Sequence, residues 1–196
     1  MRNYVRIALL AIGSLAIGHA AAQNIEPSLP AADPLAGLPN VKVEFYDVSG
    51  NDEASINASL AANAPRRPDG SQALGATSYY FRVTNVLNKL RPACTIAKAD
   101  IQVESTIHLP RLVNPAFVPD RIMVRWKPFV AGLRLHEAGH VRIENDHLKD
   151  IRAAVIGSKC ADLKATMDEA TAKVALLQKA YDRETGDGAT QGAVLR

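Results

Sequence analysis

Trp126, Leu133, His140 and His147 stand seven residues apart in a stretch, 120–158, that holds a single proline, Pro128. Residues at that spacing share one stripe only on a helix, so this part of the chain is constrained to be helical. Pro128 is expected near the first turn of the main helix, where its missing N–H removes no bond. Gly157-Ser158 is expected to end that helix. A second helix is predicted over about 162–183, because Leu163, Met167, Ala170, Val174, Leu177 and Tyr181 recur by fours and threes. Such a seam packs on a neighbouring helix, and Gly186-Asp187-Gly188 stops it.

The preceding half follows a different period. Val41-Lys42-Val43-Glu44-Phe45 alternates apolar and polar, as a half-buried strand does. Ser49-Gly50-Asn51-Asp52 makes a turn, and Asp52 or Asn51 is placed to cap a short helix through Ala64. Thr77 to Val86 is rich in β-branched and aromatic residues, and Cys94 to Leu109 alternates over a long stretch. Pro110, Pro115 and Pro119 then interrupt the chain. The fold class expected is α+β: a small antiparallel sheet followed by two long packed helices.

The N-terminus reads as an address. Arg2 and Arg6 precede an apolar run, Ile7 to Ile17, too short to span a bilayer comfortably, and Ala20-Ala21-Ala22 is a small-residue cleavage pattern. The expected organisation is a signal peptide over 1–22, a flexible Pro- and Ala-containing leader over 23–40, and one domain over 41–196. The expected location is the periplasm or the medium. Losing Arg2 and Arg6 from 23 basic residues leaves 21 against 20 acidic ones. That balance gives no electrostatic ground for nucleic acid or an anionic membrane as partner. Cys94 and Cys160, the two cysteines of the chain, would pair as a disulfide in an oxidising compartment.

Within the first helix lies His136-Glu137-Ala138-Gly139-His140. Two histidines four apart stand about 6 Å apart along the axis and roughly 40° apart around it, so both rings can face one ion. Glu137 lies roughly 100° from His136, placed to take a proton from a water that zinc has acidified toward a pKa of ~7. Two histidines do not complete a zinc site. Asp146 falls where the extended version of this motif has its third ligand, but Ile143 replaces the glycine that would turn the chain. Glu144 points past the metal and suits a partner orienting an imidazole. His147, two turns beyond, is too far to share the ion, and His108 reads as a solvent-facing strand residue. The remaining acids are Asp187, in Thr185-Gly186-Asp187-Gly188, and Glu169. Tyr181 is either a hydrogen-bond donor to an oxyanion or, from its place on the apolar seam, a packing residue.

Several segments together resemble a bacterial family of secreted proteins described as zinc-dependent proteases and formally a domain of unknown function. They are Phe45-Tyr46-Asp47-Val48-Ser49-Gly50, Asp69-Gly70, Cys94-Thr95-Ile96, Leu109-Pro110-Arg111, Trp126 ahead of the His-Glu motif, and 181–192. The terminal motif of that family reads Thr-x-His-Gly, with histidine where this chain has Asp187. The resemblance therefore implies Asp187 as third zinc ligand beside His136 and His140, on a zincin-like helix. With the N-terminal signal and the motif geometry, the expected function is an exported metallopeptidase acting on a peptide or protein substrate, with Glu137 as general base and Tyr181 near the metal. The competing expectation is a zinc-binding envelope protein without turnover. An extended substrate would pair with a sheet edge, for which Ile101–Leu109 is the candidate strand.

Overall fold

Apolar residues recur along one strand for so long that it must lie at the centre of its sheet. In the computed structural model, which describes residues 32–67, 70–89 and 94–195, that strand is β3 (Thr95–Leu112), with Ile96, Ala99, Ile101, Val103, Ile107 and Leu109 all buried. It is flanked by β1 (Val41–Val48) and β2 (Ala76–Asn88) in the order β1-β3-β2. β2 pairs with it antiparallel and β1 parallel, so the sheet is mixed rather than antiparallel throughout. The edge strands of the sheet are therefore β1 and β2; within Ile101–Leu109, residues 105–108 are paired on both sides, 101–104 with β2 alone and Leu109 with β1 alone. β3 also continues through Pro110. Its pairing with β2 stops at His108, beyond which β1 alone adjoins it, and a residue without N–H is tolerated there.

Helix α1 (Glu53–Asn63) starts where the turn residues place it. Asp52 Oδ1 accepts from Ser55 N at 2.7 Å, and Ser55 Oγ accepts from Asp52 N at 3.3 Å, a reciprocal cap. Helix α2 (Asp120–Asp146) buries Ile122, Trp126, Phe129 and Leu133 along one stripe, and Ala138 and Val141 farther round. Pro128 lies well inside this helix, not at its first turn. It and Val124, four residues earlier, are both exposed, so the carbonyl deprived of its N–H partner falls on the side open to water. The helix does not run on to Gly157. The ring Nδ1 of His147 lies 2.8 Å from the Ile143 carbonyl, in place of the backbone N–H that would continue the ladder. A separate helix α3 (Leu148–Val155) follows, and α4 (Leu163–Thr185) returns along the assembly.

Two apolar clusters hang on β3. One joins Ile107, Leu109 and Leu112 to α1 and to α2 from Ile122 to Val141; the other joins Ile96, Ala99 and Ile101 to Ile151 and Val155 of α3 and Ala170 and Val174 of α4. The chain is packed before Val41: Leu35 is buried and Arg134 makes a two-point ion pair with Asp33. Residues 32–40, expected to be part of a leader, thus include packed positions, and the rest of the expected leader, with the expected signal peptide, lies outside the described residues. Among the described residues no helix is long and apolar enough to cross a membrane.

Cys94 and Cys160 form the disulfide, with Cα atoms 5.4 Å apart and 66 residues of separation. It ties the start of β3 to the segment leading into α4. Closing a loop of that size is worth about 4 kcal/mol on the chain-entropy account. Replacing both cysteines by serine should lower the unfolding free energy by about that amount. Urea titrations of the disulfide-bonded chain and of the serine variant measure it.

Candidate metal centre

α2 carries His136 and His140 one turn apart, and the last turns of α4 lie across them. The two Nε2 atoms are 3.2 Å apart. Oδ1 of Asp182, from α4, lies 3.3 Å from the first and 3.0 Å from the second. His136 is 4% exposed. Among the described residues, Asp182 Oδ1 is a buried oxygen that no hydrogen bond reaches. These three residues form a group able to hold a metal ion. Burial, and then the neighbouring His140 ring, push the His136 pKa down, keeping the imidazole in the neutral form that a cation needs.

Tyr181 backs both rings. It stacks on His136 with centroids 5.1 Å apart and planes 10° apart, and meets His140 edge-on. Its hydroxyl donates to the His136 carbonyl at 3.3 Å. That close approach depends on Gly139, since a Cβ there would stand 2.0 Å from the phenol oxygen. The hydroxyl is therefore engaged with backbone, and it also accepts from Gln191 Nε2 at 2.9 Å.

Glu137, 2% exposed, turns away from the two rings toward the sheet, where Thr77 Oγ1 donates to its Oε2 at 2.7 Å. Its other oxygen occupies space that only a glycine leaves: a Cβ on Gly75 would lie 2.6 Å from Oε1. Burial is the largest influence on this carboxyl and raises its pKa. Glu137, His136, His140 and Asp182 line one cavity of about 400 Å³, together with Thr77 and Tyr79 of the β2 edge strand.

The other acids fall elsewhere. Asp187, with a left-handed backbone (φ 51°), stands at the cavity rim, its carboxylate 3.1 Å from Arg67 Nη2. Glu169 is exposed and paired with Lys173 at 3.8 Å, and Asp146 is exposed at the end of α2. His108 is remote, beside Glu44 at 3.5 Å. Asp182 was not weighed from sequence. Its signal is a polar line, Gln178, Asp182 and Thr185, at helical spacing beside the apolar seam of α4.

Glu144 is fully buried behind the site, accepting from Ser105 Oγ at 2.5 Å and Gln178 Nε2 at 3.2 Å. Burial pushes its carboxyl up to about 7 from an ordinary 4.5. Between those values the folded chain keeps a proton that the unfolded chain has released, so stability falls as pH rises from about 4.5 to about 7 and levels off above. Chelator-treated protein should lose up to about 3 kcal/mol across that window, and Glu144→Gln should flatten the loss. Urea midpoints at pH 5 and pH 8 compare them.

Residues 43–189 match the family model described as bacterial protein of unknown function, DUF922. No curated protein and no solved structure matches the chain.

Proposed function

We propose that the chain, which belongs to the bacterial family of unknown function DUF922, is an exported zinc-dependent peptidase. One observation carries the metal part of this reading: two imidazole nitrogens and a buried carboxylate oxygen converge within 3.0–3.3 Å, and among the described residues no hydrogen bond reaches that oxygen. Tetrahedral zinc with bonds of about 2.0–2.1 Å keeps its ligand atoms roughly 3.3–3.4 Å apart, so the triangle fits with little adjustment. His136, His140 and Asp182 would hold the ion, leaving a fourth direction toward the cavity. Asp187, engaged by Arg67 at the rim, is the weaker choice for third ligand.

When bound, zinc would supply Lewis acidity, polarising a peptide carbonyl and bringing the pKa of a water in the site toward ~7. Glu137 Oε1, the oxygen not held by Thr77, takes the proton from the attacking water and later returns it to the leaving amine. Burial raises the pKa of Glu137, which makes the carboxylate a better proton acceptor than an exposed one. Thr77 and Gly75 hold that carboxyl in place. The free edge of β2, whose Thr77 and Tyr79 line the cavity, is where an extended peptide would lie. Export is supported by the signal-like N-terminus and by the disulfide, which persists in oxidising compartments.

The engagement of the Tyr181 hydroxyl with backbone favours a second reading, a zinc protein of the envelope without turnover. Incubation with a mixed peptide library decides between them. The proposal expects cleavage that a chelator abolishes and stoichiometric zinc restores. No cleavage by zinc-loaded protein supports the second reading, and cleavage indifferent to chelator removes zinc from the chemistry.

A further inference from the structure

We propose that Gln178 and Gln191 are positioning residues: they fix His140 and His136 with the proton on Nδ1, so that both Nε2 lone pairs face the metal. The inference rests on the metal reading above, but concerns atoms that can be observed without any ion.

Each amide is oriented by its other partners. Gln178 Nε2 lies 3.1 Å from the His140 carbonyl and 3.2 Å from Glu144 Oε1. The His140 carbonyl oxygen only accepts, so the NH2 end of Gln178 must face it. Its Oε1 is left 2.5 Å from His140 Nδ1. The second amide obeys a separate set of constraints. Tyr181 donates its single hydroxyl proton to the His136 carbonyl, and so accepts from Gln191 Nε2 at 2.9 Å. Gln191 Oε1 then faces His136 Nδ1 at 3.0 Å.

An amide oxygen against a ring nitrogen requires that nitrogen to carry hydrogen. A neutral imidazole protonated at Nδ1 has a bare Nε2. Two glutamines, one on α4 and one in the 189–191 turn, thus reach the same result through unrelated partners. Both amides are neutral. A carboxylate in their place would make the imidazoles more basic ligands, whereas these leave the ion's charge opposed by Asp182 alone among the ligating groups.

The ring tautomers are read by long-range proton–nitrogen correlation spectra of metal-free, 15N-histidine protein, with zinc affinity measured by competition against a chromophoric chelator. His136 and His140 should both show the Nδ1–H pattern in the unaltered chain. Gln178→Leu should release His140, and Gln191→Leu His136, into a mixture of tautomers, with zinc affinity lowered 10- to 100-fold. Gln191→Glu keeps an acceptor against Nδ1 and should retain the His136 pattern. An Nε2–H pattern in the unaltered chain overturns the proposal, as do leucine variants that keep both tautomer and affinity. Rings locked at Nδ1–H in a protein that binds no zinc would instead sink the metal reading and leave the lock standing. The spectrum of the unaltered chain decides even where a leucine variant fails to fold.

Discussion

Micromolar free zinc is expected to raise the melting temperature of the chelator-treated protein by roughly 10 °C. A nanomolar site at a thousandfold excess of free ligand adds about 4.1 kcal/mol. For a domain of this size each kcal/mol moves the midpoint by about 2–4 °C. His136→Ala and His140→Ala should lose nearly all of that shift. Asp182→Ala should lose most of it, while Asp187→Ala, which removes a carboxylate paired with Arg67 at the rim, should keep it. A second comparison sharpens the contrast. Among the described residues Asp182 Oδ1 makes no hydrogen bond, so without zinc Asp182→Ala should melt no lower than the unaltered chain. An aspartate retained for structure would behave in the opposite way, lowering the midpoint with and without metal.

Glu137→Gln should remove turnover by a factor of about 10²–10⁴, the contribution of a positioned proton carrier, while zinc content stays at one ion per chain. The substitution is close to isosteric, and its amide oxygen can still accept from Thr77, so the packing around Gly75 and Thr77 is conserved. What changes is the ability of the free oxygen to take a proton. Elemental analysis and initial rates on the same preparations test both halves. Equal rates in the two proteins would remove Glu137 from the chemistry. Loss of zinc from the variant would mean that the carboxylate belongs to the coordination shell.

The parts of this fold visible in the sequence are those governed by local period. The apolar stripe of α2, the seam of α4, the cap at Asp52 and the alternation of β3 each depend on residues within a few turns of one another. The disulfide was legible because the chain has two cysteines. The parallel partnership of β1 with β3 was not, since it joins residues such as Val41 and Ser105 through pairing that no local pattern specifies. The length of β3 and the recurrence of buried residues along nearly all of it are the clue that it lies at the centre of the sheet. The break at His147 was equally hidden, because it depends on one ring competing for one carbonyl.

The site divides along the same line. His136, Glu137 and His140 announce themselves by spacing within a single helix. Asp182 and Gln178 come from another helix, and Gln191 from the turn after it; they become neighbours of the histidines only because Gly139 lets Tyr181 settle against α2. From sequence, the glycine-rich turn around Asp187 drew attention as the place where a flexible ligand would sit. The fold instead brings up the regular helix one turn earlier.

Crystals of the zinc-loaded protein, with anomalous differences collected on either side of the zinc absorption edge, test the central claim most directly. The account predicts one strong peak at bonding distance from His136 Nε2, His140 Nε2 and Asp182 Oδ1, open toward the cavity that Glu137 lines. A peak held by Asp187 in place of Asp182 would correct the ligand set. No peak between the two imidazoles, at full zinc loading, would contradict the account.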